Sequence, residues 1–486
     1  MRTLVTAVLR PTLAAGILSL AISLLASRPA LAWDPATTHA GLTERALSIS
    51  KFHAVLAQQL GRALGGFEPL RLDAGAQGAD AARALGARLD QLDPAGGYRP
   101  SPDGVALASA WVKAGAVLEK TPPERGRHHF FEPRKRAGLD DGPGLSGTLH
   151  AARLTLDDGA TVRDTATGSA FGLEGLPALD WVWSPRNDLG LPAFFDNWEL
   201  ATSAPQAALR ETALVRALLA LGGTLAVLED MGQPAFVRND FRAEFLAHDA
   251  GSEFERFVAD RFGSVALPPP SAPVARPDVD SFFVASDGKG LAQATQERFF
   301  SPGTLPQDIR LAAGEKTSDL ERLLNQTLPF PAPRVTTLEL GRTGETRYLQ
   351  QDEVRVLAYQ RGANKIHFFL DRVVYADCAR RWLPVVEGYA AGLVDHLLRA
   401  KLVLSVAQGE VTLIASGFAG HIEAGAKVRV LAEDATGGRK EIAQVPLQPD
   451  LPLTFAVPPG TRKLAAVARG RDVGGVFVAA AEISAP

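Results

Sequence analysis

The sequence predicts a large, mainly α-helical domain followed by a small β-sandwich. Two patterns carry this. Apolar residues recur at helical spacing over most of the chain as far as about residue 400. Beyond Val403, short alternating runs follow one another, separated by Gly, Pro and Asp. Length agrees: 486 residues, nearly half of them apolar, exceed one ordinary domain and can bury a sizeable core.

Residues 1–32 have the three parts of a secretory signal. Arg2 and Arg10 make a positive start, Thr12 to Leu25 is apolar and uncharged, and Ala30-Leu31-Ala32 is a small-x-small cleavage site. The apolar run is short for a bilayer span of about 20 residues, so the expectation is cleavage, a mature chain starting at Trp33, and export to the periplasm or medium.

From Thr37 to about Leu92 the text is Ala/Leu-rich with helical spacing, and Ala106–Leu118 reads as another helix. Residues 139–195, rich in Gly, Asp and Thr, read as loops with a hairpin. Helical patterning returns at Trp198–Leu228 and at Phe241–Phe262. The run Leu214–Leu228 contains Arg216 and a Gly pair and reads as a buried helix, so no membrane anchor is expected after cleavage. Leu267-Pro-Pro-Pro-Ser-Ala-Pro reads as a surface linker or loop. Val335–Val356 alternates as strands do, and Ala376–Arg399 is an amphipathic helix. The strand-like runs beyond it are Val411–Ala415, Lys427–Leu431, Glu441–Val445, Leu453–Val457, Leu464–Ala468 and Val476–Ala480. The expected organisation is a signal over 1–32, a helical domain over 33–402 and a β module over 403–486.

Losing the signal removes three arginines and no acids, moving the formal charge from −3 to −6. A mildly acidic chain argues against duplex nucleic acid as a partner, because duplex binders carry a basic face. Cys378 is the single cysteine, so an internal disulfide is ruled out despite the oxidising destination. No Gly-x-Ser-x-Gly elbow or phosphate-cradling P-loop is present. Nothing in the residues speaks to oligomeric state.

Three segments concentrate the chemistry. Trp33-Asp-Pro-Ala-Thr-Thr-His39 would offer, once cleaved, an α-amine and carbonyl able to chelate a metal, with His39 close by. Trp111 to Lys120 leads into Arg127-His-His129-Phe-Phe-Glu-Pro133; the plain reading is a helix followed by an aromatic strand with a core histidine. Leu221 to Asp240 places Asp230 inside an apolar helix just before a Gly-x-Pro break, which is costly unless the carboxylate is paired or met by loop amides.

In order, these segments resemble the zinc-dependent phospholipases C and the related fungal single-strand nucleases. Glu253-Phe-Glu255-Arg-Phe-Val258 looks like the family's last metal-binding element. Gly290–Ser301 and Leu383–Leu393 resemble bacterial relatives. The resemblance spans Trp33 to about Ala400. It implies a cluster of three zinc ions that holds a phosphodiester and activates water, and it implies Trp33, His39, His129, Asp230 and Glu255 as metal ligands, with Asp230 also catalytic. Four matched positions depart from it: Lys120 stands where a carboxylate is expected, and Ala226, Phe236 and Gly251 stand where imidazoles are expected. Ala226 and Asp230 share a helix face, so Ala226 removes half of a His-x-x-x-Asp pair. Only one ion keeps a full set, Trp33, His39 and Asp230, and at most one zinc is expected.

Lys120 is expected to supply the positive charge of a missing ion by pairing with Asp230, Glu255 or both. The alternative is a shifted register with Glu119 in the cleft and Lys120 in solvent. The leading functional expectation is an exported superfamily member with an incomplete zinc centre, weak or inactive as a phosphodiesterase, its cleft binding a phosphodiester-bearing ligand or supporting the fold. One alternative is an active zinc-dependent hydrolase of phospholipid or single-stranded nucleic acid using fewer ions. Another is a surface adhesion or scaffold protein acting through the β module.

Overall fold

The computed structural model describes residues 34–72, 84–89, 100–101, 103–121, 123–139, 154–155, 161–162, 175–240, 252–262, 268–311, 324, 328, 332–333 and 341–485. The expected signal, Trp33 and Gly251 lie outside the described residues.

The architecture is a mainly α N-terminal domain followed by a sandwich-like β module. Its helices include α1 (Ala40–Ile49), α2 (Ala108–Leu118), α3 (Leu191–Ser203), α4 (Ala207–Asp230), α5 (Glu253–Ala259) and α6 (Arg372–Leu397), with other short helices between. At its centre stands α4, with α2 and α3 packed along it. Apolar side chains cover nearly all faces of α4, and beyond its exposed first turn they are buried. It is long and apolar enough to cross a membrane, but within this fold it is the core helix.

Close approach between α2 and α4 depends on glycine. A Cβ on Gly115 would lie 2.0 Å from the Leu219 carbonyl oxygen, and one on Gly222 would lie 1.9 Å from that of Val112. Backbone meets backbone here, so no side chain can yield. Gly222→Ala is therefore expected to lower stability by about 3 kcal/mol, the upper end of overpacking costs. Urea unfolding of the variant, followed by tryptophan fluorescence, measures this; an unchanged midpoint would mean the two helices separate cheaply.

One expectation needs correction. Residues 139–195 are not loops throughout: a helix runs over Ala178–Trp183 and α3 begins at Leu191. A short antiparallel pair at Leu154–Thr155 and Thr161–Val162 corresponds to the expected hairpin. The Pro-rich stretch after Leu267 is a surface loop, as expected, and it is tied down rather than free. Ser271 N donates to Pro384 O at 3.0 Å and Val274 N to Gly388 O at 2.9 Å, strapping the segment along α6. At Gly392 a Cβ would lie 2.0 Å from Val274 O, so the glycines of Leu383–Leu393 admit this strap. Arg45 ties the same region to α1, donating to Glu387 at 2.6 Å and to Pro268 O at 2.6 Å.

The helical domain also holds an antiparallel sheet of β1 (Ile309–Arg310), β2 (Thr346–Gln351), β3 (Val354–Arg361) and β4 (Lys365–Phe369), in the order β1-β4-β3-β2. Helix α6 packs across it through β3.

The β module follows as β5 (Lys401–Ala407), β6 (Glu410–Ser416), β7 (Lys427–Glu433), β8 (Arg439–Pro446), β9 (Leu453–Ala456), β10 (Lys463–Asp472) and β11 (Gly475–Ser484). They form a three-stranded sheet, β9-β6-β5, and a four-stranded sheet, β8-β7-β10-β11. The first strand begins two residues before the expected start at Val403. Between the sheets, Val411, Leu413, Val428, Val430, Leu464, Ala466 and Phe477 form a core of their own.

The opposite face of the four-stranded sheet is covered along much of β10 and β11. Leu431, Ala465, Val467, Val478 and Ala480 belong to the helical domain's core, where α3 packs on β10 and β11. Two-sided burial explains why Leu464–Ala468 and Phe477–Ala481 are continuously apolar and Ala-rich rather than alternating. Charged groups seal the junction. Arg439 donates to Thr202 O at 2.6 Å, to Glu482 at 2.8 Å and to Glu433 at 2.8 Å, and Arg210 reaches Glu433 at 2.9 Å.

Candidate metal centre

Four stretches bring their polar residues together at the end of α4. The chain enters α1 through a turn over Pro35–His39, capped by Asp34, whose carboxylate accepts from Thr37 N at 2.8 Å. This turn buries His39 completely. Helix α4 ends on Glu229 and Asp230, both fully buried, before Gly232-Gln233-Pro234 breaks the helix. Glu119 and Lys120 form the turn that follows α2, and His129 closes a 3-10 turn over Pro123–His129.

Lys120 is 1% exposed, among the largest fully buried side chains in the chain. Its ammonium donates to Asp230 Oδ2 and lies 3.0 Å from His129 Nδ1. His129 Nδ1 is also 2.5 Å from Asp230 Oδ2. The imidazole can serve one neighbour at a time: protonated at Nδ1 it donates to Asp230, and unprotonated there it accepts from Lys120. The alternative register, with Lys120 in solvent, is thereby excluded. Glu119 is buried as well, held by Arg125 at 2.6 Å and by Trp181 Nε1 at 2.7 Å, with His129 Nε2 3.4 Å away. Adjacent in sequence, Glu119 and Lys120 thus grip opposite sides of one histidine.

On the other side of Asp230, His39 Nδ1 lies 2.7 Å from Glu229 Oε2, and Thr43 donates to Glu229 Oε1 at 2.9 Å. His39 Nε2 faces Asp230 Oδ1 at 3.1 Å, off the hydrogen-bonding line. Burial alone would raise the Asp230 pKa, but the charges of Lys120 and His39 prevail and hold it well below the usual carboxylate range. Burial disfavours charge on His39, yet Asp230 and Glu229 together lift its pKa above the ordinary imidazole value. Glu119 is held low: burial opposes its charge, but Arg125 and His129 outweigh it.

The remaining matched positions are accounted for by packing. Ala226 is buried one turn before Asp230 on the same helix face. The Phe236 ring stacks on Phe130 at 4.4 Å, with the Lys120 ammonium 5.6 Å from its centre. Glu255, at the start of α5, closes a capping box with Ser252, and Gln233 Nε2 donates to it at 3.5 Å. The Gly290–Ser301 stretch supports the break after α4: Gln296 donates to Glu132 at 2.7 Å and to Val237 O at 2.9 Å.

How these residues fit zinc differs from one side of Asp230 to the other. His39 Nε2 and Asp230 Oδ1 are buried, have no hydrogen-bond partner and stand 3.1 Å apart. Two ligands of a tetrahedral zinc with bonds of about 2.0 Å stand about 3.3 Å apart, so this pair fits. Glu229 behind His39 completes a carboxylate–histidine arrangement. Across Asp230 the fit fails, because Lys120 engages both His129 Nδ1 and Asp230 Oδ2. Among the described residues, no group of three or more His, Cys, Asp or Glu side chains gathers as a cation site; Trp33, the third expected ligand, lies outside them.

Sequence reasoning missed Glu229 and Arg125 as site residues. Glu229 carries a signal, since two successive acids in an apolar run both need partners. Arg125 carries none, because its distances to Glu119 and to Asp188 (2.7 Å) arise only on folding.

No family model matches the sequence, and no curated protein matches it. Among solved structures, the chain is similar to the alpha toxin from Clostridium absonum, at 11% identity over 91% of this chain and 93% of that one, with a TM-score of 0.28. It is also similar to the Clostridium perfringens alpha-toxin from an avian strain, at 10% identity over 93% of this chain and 98% of that one, with a TM-score of 0.25. At these values the likeness assigns neither family nor activity.

Proposed function

We propose that the protein is an exported relative of the zinc-dependent phospholipases C and single-strand nucleases in which a buried lysine has taken the place of metal. The observation that carries this reading is the Lys120 ammonium, bonded to Asp230 and 3.0 Å from His129. These are the donors from which the resemblance would build a second ion. At most one zinc remains, on His39 Nε2 and Asp230 Oδ1, with Trp33 as its third ligand. Bound there, it supplies a Lewis acid and a bound water of lowered pKa.

The chain's own residues do the rest. Asp230 is the shared anion, the Lys120 ammonium neutralises it with His129 set between them, and Glu119 with Arg125 holds His129 in place. With Lys120, His39, His129 and Asp230 all buried, a phosphodiester has little access to the centre, which accords with weak or absent turnover and a supporting role for the old cleft.

Metal content of the mature chain, with Trp33 confirmed as its N-terminus and after dialysis against trace zinc, tests this. The expected result is no more than one zinc per chain, lost in Asp230→Ala, with hydrolysis of bis(p-nitrophenyl) phosphate near the background rate. Two or three ions together with turnover would sink the reading in favour of an active hydrolase.

A further inference from the structure

The chain grips both nitrogens of one imidazole with two successive acids. Glu229 takes His39 Nδ1 at 2.7 Å, and Asp230 faces Nε2 at 3.1 Å. The Glu229 carboxylate is itself fixed, because Thr43 from the following turn of α1 donates to its other oxygen at 2.9 Å. A buried carboxylate is costly to keep in a core helix. His39 Nε2 and Asp230 Oδ1 face each other as a buried ion pair 3.1 Å apart, off the hydrogen-bonding line, a separation close to that of two ligands on one tetrahedral zinc.

We propose that Glu229 is a positioning residue: by accepting from His39 Nδ1 it sets the tautomer and ring orientation that present Nε2, beside Asp230 Oδ1, as the donor for a single zinc. The inference deepens the one-ion form of the function proposed above and rests on it. Its physical basis is that a metal-bound imidazole is oriented, and made more basic, by the acceptor on its other nitrogen.

The test uses the mature full-length chain and zinc alone. Histidine-selective 15N labelling, with His39 assigned through a His39→Asn variant, reports the tautomer in the zinc-free protein. The expected result is a proton on Nδ1 and a zinc-induced shift at Nε2; a proton on Nε2, or zinc on Nδ1, would overturn the inference without any change at Glu229. Zinc affinity is then measured by competition with a chromophoric chelator. Glu229→Gln, which keeps the shape and an acceptor oxygen, is expected to weaken binding by about 10–100-fold, and Glu229→Met by at least as much. Unchanged affinity in a folded Glu229→Gln protein defeats the positioning role and leaves the one-zinc reading standing. Wild type that binds no zinc defeats this inference while sparing the lysine-for-metal substitution. Two or more ions defeat that substitution itself.

Discussion

Lys120→Met is expected to lower stability by about 3–5 kcal/mol, the cost of removing one partner from a buried ion pair. Methionine keeps most of the stem volume, so the packing against Phe236 is largely retained and the loss is chiefly electrostatic. What remains is the Asp230 carboxylate, fully buried, with His39 and His129 as its neighbours. The pH dependence follows from the depressed Asp230 pKa. In the wild type its contribution is complete above the unfolded carboxyl value of about 4 and is lost as pH falls below it. In Lys120→Met the largest charge holding Asp230 ionised is gone, so the gap between the proteins should narrow as pH falls, because the variant's carboxyl takes up a proton in the folded state while that of the wild type stays ionised. Urea unfolding at pH 7 and at pH 3 measures both effects. Equal midpoints at pH 7 would show that the ammonium does not stand in for a metal ion. Lys120→Asp, which places a third carboxylate beside Glu119 and Asp230, should be worse still without metal and recover in part when zinc is added.

At the domain junction, Arg439→Ala is expected to cost about 3 kcal/mol, the low end for a broken buried pair because Arg210 still reaches Glu433. The Arg439 side chain is only 2% exposed and links Glu433, Glu482 and the Thr202 carbonyl across the junction. Its loss leaves Glu482 and that carbonyl short of a donor next to packed apolar surface. The variant should therefore lose cooperativity as well as stability, with the β module unfolding ahead of the helical domain and tryptic cleavage appearing near Arg399 and Lys401. Arg469→Ala makes the control: its ion pairs with Asp196 and Glu199 cross the same junction, but the arginine side chain is 41% exposed, so the change is expected to be below about 1 kcal/mol. A single two-state transition in Arg439→Ala, with wild-type protease resistance, would show that apolar packing on α3 joins the two parts unaided. Two-sided burial of the four-stranded sheet also bears on the scaffold alternative, because the face packed on α3 is closed to any partner.

Much of the fold is legible in the residues because it follows from local period. Helical spacing marks α2, α4 and α6, and short apolar runs bounded by turn residues mark six of the seven strands of the β module. Local pattern failed where an element is held by distant backbone or side-chain contacts. The Pro-rich strap looks like a linker because its hydrogen bonds go to carbonyls of a helix more than a hundred residues away. The helix at Ala178–Trp183 hides in a Gly- and Asp-rich context, and is held by tertiary contacts such as the Trp181 bond to Glu119.

The sequence by itself determined the fold class and the order of its main elements, and it singled out His39, Lys120, His129 and Asp230 while leaving open whether Lys120 faces the core or solvent. Tertiary structure alone decided how they are reconciled. It set Lys120 against Asp230, Glu229 behind His39 and Arg125 against Glu119, and it docked the β module onto α3. The reason is physical. Periodicity is encoded between near neighbours, whereas pairing a buried charge depends on distances between segments that meet only when the chain has folded.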